Sequence, residues 1–207
     1  MPTIQKLEES KHVSGRYLVW LGEKELLRVT AEEVLSFGLY TGKELTEEEV
    51  AQLSQAGQTS GARAAAAKLV GAKPMSRGEL TEKLLRKGYS AEDAESAADW
   101  LEELGVLDDG AYAAMVARHY TAKGYGLRKV QDELWRRKVP RALWAEALAQ
   151  AEPPEEAIDK LIAQKLQGKT PDQRELGKVQ NFLLRRGFSW TEVREGLERY
   201  GAEEDSD

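Results

Sequence analysis

The period of the hydrophobic positions changes near residue 30, and the change separates two kinds of element. Before it, Arg16-Tyr17-Leu18-Val19-Trp20-Leu21 and Glu25-Leu26-Leu27-Arg28-Val29 are β-prone runs on either side of a tight-turn signal at Gly22-Glu23. That arrangement predicts an antiparallel hairpin, with Ile4–Leu7 placed to add a third strand. After it the spacing is helical. Thr30-Ala31-Glu32-Glu33 and Thr46-Glu47-Glu48-Glu49 are capping boxes, in which the threonine and the glutamate three residues on satisfy each other's orphan amides; two short helices follow from them. The stretch Ser54-Gln55-Ala56-Gly57-Gln58-Thr59-Ser60-Gly61 is turn-rich and marks the expected end of an N-terminal segment, residues 1–59.

Beyond that point the pattern repeats. Leu84-Leu85-Arg86-Lys87-Gly88-Tyr89-Ser90 recurs as Leu134-Trp135-Arg136-Arg137-Lys138-Val139-Pro140 and again as Leu183-Leu184-Arg185-Arg186-Gly187-Phe188-Ser189, at offsets of 50 and 49 residues. The apolar flanks keep step: Leu80, Val130 and Val179 correspond, as do Ala94, Trp144 and Val193, then Leu101, Ala151 and Tyr200. Each copy predicts three short helices. The first is an apolar-striped segment (Ala62–Leu69, Ala111–Lys123 or Glu155–Leu166), with Ile158, Leu161, Ile162 and Leu166 on one face of the last. The second ends in basic residues and stops at Gly88, at Gly187, or at Val139-Pro140, because glycine accepts a left-handed helix end and the residue before proline resists helix. The third opens at Ser90, Pro140-Arg141 or the capping box Ser189-Trp190-Thr191-Glu192. Thr170-Pro171-Asp172-Gln173 reads as a further cap with proline at the first helical position. The expected fold is mainly α: three tandem three-helix, helix-turn-helix-like repeats (60–107, 108–152 and 153–201). A small N-terminal strand-and-helix segment precedes them and a disordered acidic tail, 202–207, follows.

Composition narrows the function classes. With no cysteine there is no disulfide framework and no thiolate metal site. The opening Met1-Pro2-Thr3-Ile4-Gln5-Lys6 lacks the apolar run of a secretory signal, and no stretch approaches a membrane span, so a soluble cytoplasmic protein is expected. Charged residues make up 32% of the chain and the net charge is −6, with mean hydropathy −0.57. That average hides an asymmetry. Residues 1–60 carry ten acids against six Lys/Arg, whereas Arg118 to Arg141 carries eight Lys/Arg against Asp132 and Glu133. A basic middle between acidic ends fits an electrostatic footprint on phosphate; a solvated basic helix face gives the same signature.

The residues at the first repeat junction resemble the RecX family of recombinase regulators. Gly105-Val106-Leu107-Asp108-Asp109-Gly110-Ala111-Tyr112-Ala113 is similar to that family's G-x-L-D-D-x-x-Y-A segment. Ser76-Arg77-Gly78-Glu79-Leu80 with Leu84 and Lys87-Gly88 supports it upstream, and Gly124-Tyr125-Gly126 leading to Val130, Leu134 and Lys138-Val139 supports it downstream. The likeness covers about residues 60–201. Two departures are Lys138, where the other repeats have glycine, and a bland Ala64–Ala67 run. The resemblance implies tandem three-helix units in an elongated arc that bind the RecA–DNA filament and modulate, chiefly inhibit, its assembly, strand exchange and coprotease activity, with no catalysis and no cofactor.

The candidate contact residues are Arg86, Lys87, Lys123, Arg128, Lys129, Arg136, Arg137, Lys138, Arg141, Arg185 and Arg186. Basic residues at a helix C-terminus are also explained by the helix dipole; two or three in every repeat suit a row that tracks phosphate or an acidic protein face. Leu107, Asp108, Asp109, Tyr112 and Gly126 read as mainly structural, with Asp109 or Asp108 capping a helix that begins near Gly110, since two adjacent carboxylates alone are a poor metal site. Trp100, Trp135, Trp144 and Trp190 read as core or inter-repeat packing, with Trp135 the foremost alternative as a base-stacking residue. His12 and His119 have no nucleophile arrangement around them, and no Walker loop, zinc-protease helix or nucleophile elbow is present. Two other classes stay open: a helix-turn-helix regulator that binds duplex DNA alone, and a helical scaffold that binds only protein. Nothing requires an obligate dimer, and a monomer is expected.

Overall fold

The computed structural model describes residues 1–22, 25–151, 155–167 and 171–204. The strands β1 (Ile4–Glu9), β2 (Arg16–Leu21) and β3 (Glu25–Thr30) form an antiparallel sheet in the order β1-β2-β3, and every later element among the described residues is helical. The register pairs Leu7 with Val19 and Val19 with Leu27, so alternation puts Val19, Leu21 and Val29 on one face. There they pack with Ile4, Leu39, Leu45 and Leu53. Of the expected turn, Gly22 is left-handed at φ 59°, and Glu23 lies outside the described residues.

The chain divides into two compact units, residues 1–74 with 79–107, and residues 75–78 with 108 onward. The first unit holds the sheet, α1 (Ala31–Ser36), α2 (Glu47–Ala72), most of α3 (Arg77–Arg86) and α4 (Ala91–Glu103). Both capping boxes form: the Thr46 amide donates to Glu49 Oε2 at 2.7 Å while Glu49 N donates to Thr46 Oγ1 at 3.1 Å, and Thr30 and Glu33 do the same at the start of α1.

The turn-rich stretch Ser54–Gly61 is not a boundary. It lies in the middle of α2, one helix of 26 residues, so the expected division at residues 59 and 60 falls inside a continuous element. Its small and polar residues have tertiary partners. A Cβ on Gly57 would lie 2.5 Å from the Arg28 carbonyl oxygen, so this glycine lets α2 approach β3. Asp93 on α4, itself buried, accepts from Thr59 Oγ1 at 2.8 Å and from Gln55 Nε2 at 3.3 Å. Helix breakers by propensity have become contact residues.

The second unit holds α5 (Asp109–Ala122), α6 (Leu127–Arg136), a 3-10 turn (Arg141–Leu143) running into α7 (Trp144–Ala149), α8 (Glu155–Leu166), α9 (Gln173–Arg185) and α10 (Trp190–Glu204). Val116, Val130, Leu134 and Val139 centre one core; Ile158, Ile162, Leu183, Phe188 and Val193 centre the other. The cap of α9 is Asp172, in a capping box with Glu175, so the helix starts at Gln173 and Pro171 precedes it. The expected threonine cap falls on Thr170, outside the described residues. At the far end α10 continues to Glu204, so the expected disordered tail does not begin at 202; alanine and glutamate are good helix formers. Residues 205–207 lie outside the described residues.

The repeated motif ends three helices in one way. Tyr89, Val139 and Phe188 donate to the carbonyls of Leu84, Leu134 and Leu183, while residues 88, 138 and 187 donate to those of Leu85, Trp135 and Leu184. This pair of bonds needs a left-handed residue between, and Gly88 and Gly187 supply it at φ 91°. Lys138 supplies it too, at φ 55°. Thus α6 stops at Lys138 by the same device as its relatives, before the Val139-Pro140 pair expected to stop it is reached.

Candidate cationic interface

The basic pairs at these helix ends divide their work. Arg136 is 66% exposed and Arg137 only 23%. Arg137 donates from Nη1 to the Tyr112 hydroxyl at 2.8 Å, and its Nε lies 3.6 Å from Glu133 Oε2. Burial pulls the Arg137 guanidinium down, but hydrogen bonding to Tyr112 and Tyr120 outweighs it and the net shift is upward. One repeat later, Arg186 donates to the carbonyls of Lys123 and Gly124 at 3.0 Å and lies over the rings of Tyr125 and Phe182. Phe182 and Glu133 occupy the same repeat position, so equivalent arginines are held by cation–π contact in one copy and by a carboxylate in the other. Arg185, like Arg136, is exposed. In the first unit Arg86 is exposed, 3.0 Å from Glu82, whereas Lys87 lines a cavity beside the sheet.

Glu133 organises the α6 cluster. Its side chain is 5% exposed and receives Arg136 Nη1 at 2.8 Å, with Lys129 Nζ at 3.7 Å. This buried carboxylate has three cations around it, Lys129, Arg136 and Arg137, and offsets part of their charge. On the solvent side α6 presents Arg128, Gln131, Asp132, Trp135 and Arg136, spaced as one helical face, with exposed Lys138 and Arg141 beyond it. Arg141 also lies 6.0 Å from the Trp144 ring. The exposed face of α9 carries Arg174, Lys178, Asn181 and Arg185, with Glu175 beside Lys178 and Arg185. Arg174 and Lys178 were not among the expected contact residues. Their spacing of four, seven and eleven residues along α9 is the signal that finds them.

Trp135 is 73% exposed and Trp190 55%, which corrects the expectation that the tryptophans are core or inter-repeat packing. Trp135 shares its repeat position with Leu85, itself 48% exposed, because this position turns away from the core formed by Leu84 and Leu134. Trp100 and Trp144 are half-buried, the latter donating from Nε1 to the Val139 carbonyl at 3.1 Å.

The motif residues do structural work. Leu107 and Tyr112 are buried. Asp108 is the cap of α5, accepting from Ala111 N at 2.8 Å, so the helix starts at Asp109. Asp109 instead accepts from the Arg77 amide at 2.7 Å. Gly126 caps α6 where no side chain fits: a Cβ there would sit 2.3 Å from the Gly187 carbonyl oxygen. Gly126 N donates to the Arg186 carbonyl at 3.0 Å and Arg128 N to that of Gly187 at 3.1 Å, so the orphan amides of α6 meet the orphan carbonyls that end α9. The preceding junction is similar, with the Ser76 hydroxyl donating to the Arg137 carbonyl and Gly78 packed against Lys138.

No described helix is long and apolar enough to cross a membrane. Comparison with known proteins then gives a consistent result. A family model described as the first three-helix domain of RecX matches residues 62–101, and one described as the second three-helix domain matches 108–148. The regulatory protein RecX of Vibrio vulnificus is 37% identical over 122 residues, covering 58% of this chain and 79% of its own. That of Caldanaerobacter subterraneus subsp. tengcongensis is 25% identical over 184 residues, covering 89% and 93%. A crystal structure of a regulatory protein RecX superposes with a TM-score of 0.72 at 25% identity, over 96% of this chain and all of that one. The fold of RecX from Lactobacillus salivarius matches with a TM-score of 0.62 at 17% identity, over 69% and 96%.

Proposed function

The chain belongs to the RecX family of regulatory proteins, and from that premise we propose that it regulates the RecA recombinase, chiefly as an inhibitor, by binding the RecA–DNA filament without catalysing a reaction. The helical repeats, from the second half of α2 through α10, are the binding units, and the protein works as a cytoplasmic monomer. The observation that carries this reading is the exposed cationic faces of α6 and α9, Arg128, Arg136, Lys138 and Arg141 on one and Arg174, Lys178 and Arg185 on the other. These charges suit phosphate and acidic protein together. A chain of net charge −6 then needs the filament rather than bare DNA for tight binding. Bridging neighbouring protomers alters subunit addition and ATP-linked closure. Of the residues expected at the contact, Arg137 and Arg186 instead support the face from behind, being held by Tyr112 and by the Lys123 and Gly124 carbonyls.

The test is the single-stranded-DNA-dependent ATPase of RecA, titrated with this protein at substoichiometric ratios. Loss of ATPase well below one protein per RecA is the expected result, relieved by the charge reversal Arg136→Glu with Lys138→Glu. Inhibition that survives this reversal at physiological salt overturns the proposed face. A second reading, duplex-DNA binding without RecA, draws on α6 as the second helix of a three-helix unit with a polar outer face. It predicts tight, sequence-dependent binding to bare duplex and no effect on the ATPase.

A further inference from the structure

We propose that a cavity in the first unit, between the sheet and α2, is a second anion site that binds a nucleotide through its phosphates, either free or within a strand. The cavity measures about 710 Å³, inside the usual range of small-ligand pockets. Arg16, Arg28, Lys68, Lys87 and His12 line it, and among the described residues no Asp or Glu does. The unit as a whole carries twelve Lys/Arg and eighteen Asp/Glu, so this segregation runs against its average. The four cations have no carboxylate partner among the described residues. Like charges gathered without counter-charge repel one another, and a bound anion reverses that penalty.

The walls are shaped to admit a ligand. Gly57, Gly61, Ala64 and Ala65 are small residues on the α2 wall, beside the longer Gln58 and Lys68. A Cβ on Gly61 would meet Arg16 Nη2 at 2.9 Å and the Tyr89 ring at 3.3 Å. Arg16 is pre-positioned, its Nη1 donating to Ser60 Oγ at 3.2 Å. Leu18, Leu26 and Tyr89 supply an apolar floor. Two guanidinium and two ammonium groups beside an apolar and aromatic floor match a ligand with adjacent phosphates and a flat base. An acidic peptide brings the charge but not the flat group.

The experiment uses the full chain carrying Arg136→Glu, Lys138→Glu, Lys178→Glu and Arg185→Glu, without RecA, so both proposed faces are reversed and its outcome is independent of the filament reading. The probe is a short fluorescein-labelled oligothymidylate followed by anisotropy, with ATP and an oligoglutamate peptide as competitors. Adding Arg28→Glu and Lys68→Glu, both at exposed positions, is expected to weaken probe binding at least tenfold. It should also lower the salt slope by about 1.4, or roughly 0.7 for each lost phosphate contact. Ala64→Phe, which fills the slot and leaves the charge alone, weakens binding as well. Displacement by ATP identifies a free nucleotide as a ligand; binding of the oligonucleotide without competition by ATP assigns the site to a strand. Affinity unchanged within twofold in both variants, or displacement by oligoglutamate but not ATP, overturns the proposal.

Discussion

Arg137 donates a hydrogen bond to the hydroxyl of Tyr112 at 2.8 Å, joining the end of α6 to the first turn of α5. Its neighbour Arg136 is exposed and pairs with Glu133. Removing Arg137 therefore takes a cationic partner from the buried Tyr112 hydroxyl and from the buried Glu133 carboxylate. Arg137→Ala is expected to destabilise the protein by about 1–3 kcal/mol, and Tyr112→Phe by about 1 kcal/mol. Arg136→Ala should cost less than about 1 kcal/mol, because an exposed pair contributes little. Denaturant unfolding ranks them; equal losses at 136 and 137 refute the division.

Lys138 makes a second separation possible. A non-glycine residue in the left-handed region costs roughly 1–2 kcal/mol, and Gly88 and Gly187 avoid that cost at the same place. Lys138→Gly is expected to raise stability by about 0.5–1 kcal/mol while removing a charge from the binding face. Lys138→Asn tolerates the conformation and removes the same charge with a smaller gain. Weaker RecA inhibition in both, beside unequal melting temperatures, identifies the charge as the functional part. Intact inhibition in both removes Lys138 from the interface.

Glycine replacements report on the junction between α6 and α9. Gly126→Ala forces a Cβ to 2.3 Å from a backbone carbonyl, so destabilisation of about 2–3 kcal/mol is expected. Gly177, inside α9 with open space around it, gives the opposite sign: Gly177→Ala stabilises by about 1 kcal/mol. A loss in both variants contradicts the packing assigned to α9.

These contrasts mark what was legible in the sequence. The three-copy motif, the capping boxes at Thr30 and Thr46 and the junction motif Leu107–Tyr112 are local signals, and local chemistry realises them. Gly57 and Gly61 misled because propensity cannot distinguish a helix breaker from a glycine that lets a strand or a ring approach. Arg136 and Arg137 look alike along the chain, yet one residue of helix turns the side chain by about 100°, enough to separate solvent from Tyr112. Asp109 cannot be told from Asp108 without knowing that Arg77 lies beside it.

The start of α2 gives a pH dependence. The Thr46 amide and hydroxyl hold the Glu49 carboxyl below its ordinary value of 4.5. A lowered folded-state value means the stabilisation is complete above the unfolded value and fades as pH falls through 4.5 and below. Helicity at residues 47–50, followed by amide exchange, should loosen across that interval. In Glu49→Gln the loosening with pH should largely vanish, because the carboxyl that titrates is gone while the Thr46 amide keeps an acceptor. An unchanged profile in that variant refutes the link.

Trp135 tests whether the α6 face reads nucleic acid as well as charge. A tryptophan 73% exposed stabilises the fold little, so Trp135→Ala should change unfolding free energy by no more than about 0.5 kcal/mol. Nearby Arg128 and Arg136 place cations where phosphates flank a stacked base. A stacked base lost to alanine costs about 1–3 kcal/mol of binding, and phenylalanine retains part of it. Single-stranded DNA, alone or in the filament, should quench the intrinsic fluorescence of the protein, and Trp135→Phe should lose most of that quenching. A large drop in stability with quenching preserved makes Trp135 a packing residue and leaves the face purely electrostatic.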